Sequence, residues 1–120
     1  MDLKDIMQED VFAVVGDTLN QEKYAYRIKN ELMEHGYKVY SVGKELGSLN
    51  DISGNIDVID LCIHPSKGLK LIKECTKPYK YILIQPGAES PELLEYLEKS
   101  HISFFEGCAL VGLRVYAKAK

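Results

Sequence analysis

The chain lacks any long apolar run. Its unbroken apolar stretches, such as Val11 to Val15, span a few residues, far short of the roughly 20 that a membrane-spanning helix needs. A membrane protein is therefore not expected. A basic excess is also missing: 15 Lys and Arg stand against 18 Asp and Glu, for a formal charge of −3 and a pI near 5.6. Nucleic-acid binders usually carry a basic surface, so that class is not expected either. A local basic patch around one anionic ligand stays open. Cysteine is scarce. Cys62, Cys75 and Cys108 are odd in number, widely spaced and form no CxxC pair, which argues against a disulfide framework and against a zinc site. Gly and Pro are few, 9 and 4, which argues against a disordered or low-complexity chain. The acidic start, Met1 to Asp5, carries no apolar h-region. No secretory signal is expected, and a reducing cytoplasm is the simplest home.

What is present suits one globular domain over residues 1–120, with 46% hydrophobic and 28% charged residues. Leu3, Ile6 and Met7 share one side of a short leading helix within the first nine residues. Val11 to Val15, ending at Gly16, is apolar without alternation, as in a parallel strand buried on both faces. Asn20 is placed to cap a following helix, with Glu22 in its first turn and Ala25, Ile28 and Leu32 at helical spacing. Gly36 suits a left-handed stop. Tyr37 to Val42 is a second strand, which completes a βαβ unit. Residues 43–55 are rich in Gly, Ser, Asn and Asp and read as a loop with one short turn near Leu49 to Ile52. Ile56 to Ile63 is a third strand. Pro65 and Ser66 open a helix to about Cys75, with Leu69, Ile72 and Cys75 inward. Tyr79 to Ile84 is a fourth strand. Ser90-Pro91-Glu92 is a helix start, with Leu93, Leu94 and Leu97 buried on the way to Lys99. Ile102 to Phe105 is a short fifth strand. The apolar tail, Leu110 to Tyr116, is expected to add an edge strand or to cross the sheet. Strands alternating with helices predict an α/β fold: a doubly wound, Rossmann-like parallel sheet of about five strands, flanked by helices in a three-layer sandwich.

Open sheets of this kind bind ligands outside the carboxyl ends of their strands, so the loops starting at Gly16, Gly43, His64, Gln85 and Glu106 come first. In Gly16-Asp17-Thr18-Leu19-Asn20 the glycine allows backbone amides to approach a phosphate, with the helix dipole behind and the Thr18 hydroxyl as a donor. Gly16 as a plain tight turn is the alternative. The GxGxxG fingerprint is absent, since positions 18 and 21 are Thr and Gln. The second strand ends Val42-Gly43-Lys44, where a dinucleotide fold usually carries an acid. Lys44 suits a phosphorylated ribose or is an ordinary surface lysine; Glu45, one step on, keeps NAD open. His64-Pro65 has no neighbouring carboxylate or nucleophile in sequence, so His64 reads as a packed or hydrogen-bonding residue more than a proton shuttle. Gln85-Pro86-Gly87-Ala88 offers a donor and acceptor in Gln85 and close backbone approach at Gly87. Cys108 reads as a buried, inert thiol facing the same cleft. No Ser-His-Asp order, paired carboxylates or metal spacing stands out.

The order of these loops resembles a known family. Gly16-Asp17-Thr18, Lys23, Tyr26-Arg27, His35-Gly36-Tyr37-Lys38-Val39-Tyr40 and Val42 run without a gap alongside its opening pattern: Gly-Ala-Ser, a basic residue, Tyr-Arg, Gly-Tyr-x-Val and Val-Asn-Pro. Ser48 to Ile52 is similar to its Ser-Leu-x-Asp-Ile-Pro segment, Ile56 to Asp60 to its next strand, and Gln85-x-Gly87 and Cys108 to later landmarks. The chain resembles, over roughly residues 10 to 110, the small stand-alone CoA-binding domain proteins, relatives of the CoA-binding domain of succinyl-CoA synthetase. The resemblance implies coenzyme A across the carboxyl edge of the sheet. Gly16, Asp17 and Thr18 are then expected at the diphosphate, with Lys23 and Tyr26 also expected among the cofactor-binding residues. Val42, Gly43 and Lys44 are expected near the adenine and ribose, Ile63, His64 and Pro65 along the pantetheine, and Gln85 and Gly87 across from it. The chain departs from the pattern where Asp17 replaces alanine, Thr18 replaces serine and Gly43-Lys44 replaces Asn-Pro.

The expected role is a module that binds a small nucleotide ligand, CoA or an acyl-CoA, without catalysis of its own. An NAD(P)-dependent or acyl-CoA-using enzyme or subunit would have only His64 and Cys108 as proton donors. A phosphoacceptor receiver domain is rejected, because an Asp ending the third strand and a Lys after the fifth are missing. An interaction domain that has lost its ligand stays open, as does a partner protein or a homodimer. The binding reading rests on main-chain amides at the first strand-to-helix junction being free to hold an anion.

Overall fold

In the computed structural model, which describes residues 1–118, five strands form one all-parallel sheet. They are β1 (Val11–Gly16), β2 (Lys38–Gly43), β3 (Val58–Cys62), β4 (Tyr81–Ile84) and β5 (Phe104–Glu106), in the order β2-β1-β3-β4-β5. Five helices accompany them: α1 (Leu3–Met7), α2 (Tyr24–Glu34), α3 (Pro65–Glu74), α4 (Pro91–Lys99) and α5 (Ala109–Tyr116). A 3₁₀ turn, Leu49–Asp51, interrupts the long connection from β2 to β3. Among the described residues no helix is long and apolar enough to cross a membrane.

Successive residues of each central strand point to opposite faces, so each strand feeds two cores. Ala13, Val15, Ile59, Leu61, Ile82 and Ile84 pack against Ile72 of α3 and Leu93 and Leu97 of α4. Phe12, Val14, Val58 and Leu83 pack against Ile6 and Met7 of α1, Ile28 and Leu32 of α2, and Leu110 and Leu113 of α5. The result is the expected Rossmann-like sandwich of three layers. Strand order turns at β1, with β2 on one side and β3 on the other, and a cleft opens outside the carboxyl ends of the strands there.

Local chemistry explains most boundaries. Gly36 has φ +86, and α2 ends with the Tyr37 amide donating to the Leu32 carbonyl and the Gly36 amide to that of Met33. That pair is the Schellman arrangement. Ser90 caps α4 through the Leu93 amide, and Pro91 follows at the first helical position. Several boundaries differ from expectation. β3, β4 and β5 each begin two residues later than their apolar runs, because a ladder partner, more than hydrophobicity, defines a strand end. Asn20 does not cap α2. Its side chain accepts from the Glu22 amide and its carbonyl from the Lys23 amide, so it shapes a turn, and the helix starts at Tyr24. The tail is a helix and not a strand. Its β-branched Val111 and Val115 face out, while Ala109, Leu110 and Leu113 are buried at helical spacing. Gly112 is needed there: a Cβ would meet the Met7 side chain at 2.8 Å, so its absence lets α1 lie on α5.

Candidate functional site

A cleft of about 510 Å³ lies along the carboxyl edge, within the range of small-molecule sites. Asp17 comes from the loop after β1, and Lys23, Tyr24 and Ala25 from the start of α2. Cys62, Ile63 and His64 follow β3, the segment Gln85 to Ala88 follows β4, and Cys108 follows β5.

Backbone packing sets the frame. A Cβ at Gly16 would lie 2.5 Å from the Cys62 carbonyl oxygen, and one at Gly43 would lie 2.6 Å from that of Gly16. Both glycines serve strand-to-strand approach. In the loop after β4, the Ala88 amide donates to the Gln85 carbonyl, Pro86 holds the second turn position and Gly87 the third at φ +94. That is the residue pattern of a type II turn. No atom lies within 4 Å of a Cβ built on Gly87. The glycine serves the conformation of the turn, and its amide donates to the Glu89 carboxylate.

The first junction also departs from expectation. Asp17 Oδ1 accepts from the amides of Leu19 and Asn20, at 3.2 and 3.1 Å, and the Thr18 amide donates to the Gly16 carbonyl. The amides of Thr18, Leu19 and Asn20 are therefore spoken for by the chain itself. The Thr18 hydroxyl is committed too: it donates to Glu45 Oε2 at 2.7 Å, and Thr18 is fully buried. The available amides lie further on. The first turn of α2 has no side-chain cap, and helix starts leave such donors unpaired. Tyr24 and Ala25 of that turn line the cleft, beside Lys23.

The other residues divide plainly. Asp17, Lys23, Ile63, His64, Gln85 and Gly87 come together around the cleft. Gly16 lies beneath them as part of the frame. Tyr26 is half-buried on α2, and Pro65 opens α3. Val42 is buried in the core, while Gly43 and Lys44 are exposed at the end of β2, away from the cleft lining. His64 caps α3: its Nδ1 accepts from the Ser66 amide at 3.2 Å and lies 2.9 Å from the Ser66 hydroxyl. Gln85 Oε1 accepts from the Ala109 amide at 2.7 Å, so this buried side chain caps α5 from the neighbouring loop. Tyr24, Ala25, Cys62, Pro86 and Ala88 also line the cleft and were missed as site residues. Pro86 and Ala88 flank Gly87 and Cys62 precedes Ile63, so the loop positions were a usable signal; Tyr24 and Ala25 were hidden by placing the helix start at Asn20.

Beneath the floor sits Asp60 of β3, fully buried, with its Oδ2 lacking any hydrogen-bond partner. Burial pushes its carboxyl up to about 7. The Cys62 thiol lies 3.7 Å from Asp60 Oδ1, and burial, then Asp60, push it well above its ordinary value. A thiol so placed stays protonated and is a poor nucleophile. Among the described residues no group of three or more His, Cys, Asp or Glu could hold a metal ion.

Coenzyme A would find here a cationic, uncapped helix start for phosphate and a wall of Ile63, Pro86 and Ala88 for an apolar arm. Comparison with known proteins bears on this fit. No curated protein matches the chain. Among solved structures, a conserved hypothetical protein from Pyrococcus furiosus is 30% identical, with 86% of this chain and 98% of that one covered at a TM-score of 0.76. Two others share the fold. Prb, a protein redesigned for binding, is 21% identical, with 98% and 92% covered at a TM-score of 0.84. A protein from Thermus thermophilus is 20% identical, with 95% and 98% covered at 0.78. The family described as CoA binding domain matches residues 10–114, nearly the whole chain, and the chain belongs to that family.

Proposed function

We propose that the chain binds coenzyme A or an acyl-CoA and carries out no chemistry on it. The observation that carries this reading is the pairing, in one cleft, of Lys23 and the uncapped start of α2 with an apolar wall after β3 and β4. Ligand phosphates would be held by Lys23 and the amides of Tyr24 and Ala25, where charge and helix dipole act together. The pantetheine arm would lie along Ile63, Pro86 and Ala88, with the amide nitrogen of Gln85 left to donate. Of the cleft side chains that could take part in turnover, His64 spends Nδ1 on the cap of α3 and the Cys62 thiol is held protonated, while Cys108 lines the cleft without a charged group beside it in sequence. The family match favours this ligand over NAD or NADP. Three unpaired thiols suit a reducing cytoplasm.

Titration calorimetry with CoA, acetyl-CoA, NAD and NADP tests the reading. Saturable heat with CoA or acetyl-CoA, weakened in Lys23→Ala, is expected. Tighter binding of NAD than of CoA, or silence with all four, would overturn it.

A further inference from the structure

The loop after β2 holds an arrangement that the binding reading leaves unexplained. One carboxylate oxygen, Glu45 Oε2, receives both the Thr18 hydroxyl at 2.7 Å and the Lys29 ammonium at 2.9 Å. Thr18 follows β1 next to Asp17, which lines the cleft, and Lys29 comes from the outer part of α2. A hydroxyl and an ammonium converging on one oxygen is how a protein holds a phosphate oxygen. Here a carboxylate of the chain occupies that position. Lys29, then Thr18, with a further contribution from Ser41, hold the Glu45 carboxyl below its ordinary range. Yet Glu45 sits in a four-residue turn at the sheet edge, closed by the Gly43 amide on the Leu46 carbonyl, and its side chain remains 36% exposed. It can swing out without disturbing the core, whereas Thr18, fully buried, stays where β1 puts it.

We infer that Glu45 is an internal competitor for ligand phosphate, occupying Thr18 and Lys29 and so lowering affinity for phosphate-bearing ligands but not for their neutral arm. The inference rests on the proposed function and adds a residue that sets which part of the ligand supplies affinity. Removing the carboxylate charge while keeping the shape leaves only a neutral amide oxygen, a weaker acceptor, and so loosens the hold on both donors. A hydrogen bond to a charged group is a large enough gain to shift affinity roughly tenfold.

The test is calorimetry on the full chain with CoA and, as the phosphate-free probe, pantetheine. Glu45→Gln is expected to tighten CoA roughly tenfold and to leave pantetheine unchanged. Loss of a negative charge alone would favour any anion, so the change is repeated with Thr18→Val. If Glu45 competes for the hydroxyl, most of the gain disappears in that background; an equal gain in both overturns the inference. Circular dichroism and unfolding midpoints verify that each variant folds, and Glu45→Asp serves as a second, charge-retaining variant that should give little gain. CoA binding with wild-type affinity in Glu45→Gln also overturns it while leaving the proposed function standing. No CoA heat in any variant would overturn both.

Discussion

Asp60 has no counter-charge. The residues of α2 and α5 that pack on its face of the sheet are apolar, and its Oδ2 goes unpartnered. Its carboxyl stands at about 7, against an ordinary value of 3.8, because burial disfavours the ionised form. Between those two values the folded chain keeps a proton that the unfolded chain has released. The contribution of Asp60 to stability is therefore complete below the ordinary value and is lost as pH rises through about 7. In urea titrations, the advantage of Asp60→Asn over the native chain should grow by roughly 4 kcal/mol between about pH 4 and pH 8. An advantage that stays constant across that window would show that the carboxyl is not buried uncharged. Single residues are where the sequence was least legible. Asp60 and Asp57 look alike in the string, yet one is sealed in the core and the other accepts from the amides of Asp10 and Val11 at the opposite sheet edge. Asp17 was legible as a cleft residue, but its capture of two amides depends on a rotamer that letters do not carry.

Helix starts were legible when their caps lie next to them. Ser90-Pro91 announces α4 through a cap three residues from the amide it serves, and Pro65-Ser66 announces α3, whose cap the structure puts on His64. α5 is the counter-example. Its cap is Gln85, 24 residues upstream, and becomes adjacent only when β4 and β5 pair. For that reason, together with Val111 and Val115, the tail read as an edge strand or a segment crossing the sheet and not as a helix. Replacing Gln85 with Ala should cost about 1 kcal/mol, the usual value of a lost cap, and should speed hydrogen exchange at the first amides of α5. Ser90→Ala should cost a similar amount with the faster exchange confined to α4. Unchanged exchange in α5 would mean that Gln85 contributes to the cleft and not to the helix.

The whole architecture was the most legible level. Parallel strands buried on both faces lose their alternation, so unbroken apolar runs separated by helical spacing describe a doubly wound sheet. The position of β3 beside β1 was not legible, because it follows from crossover geometry and not from any residue. A ligand that binds only the assembled edge stabilises the entire domain. CoA at roughly a hundred times its dissociation constant should raise the unfolding free energy by about 2.7 kcal/mol, read by denaturant melts. Lys23→Ala should need more CoA for the same rise; no rise at any concentration would place CoA elsewhere than on the native fold.

Gly16 and Gly43 divide the rim into parts that can vary and parts that cannot. Wherever a methyl group would strike a neighbouring carbonyl, as at both positions, substitution threatens the sheet itself. The residues just after them are less confined: Asp17 is half-buried with its carboxylate on the Leu19 and Asn20 amides, and Lys44 is exposed. Descendants of this chain could therefore change the charge of the rim by drift at positions such as 44, while the scaffold beneath stays as it is.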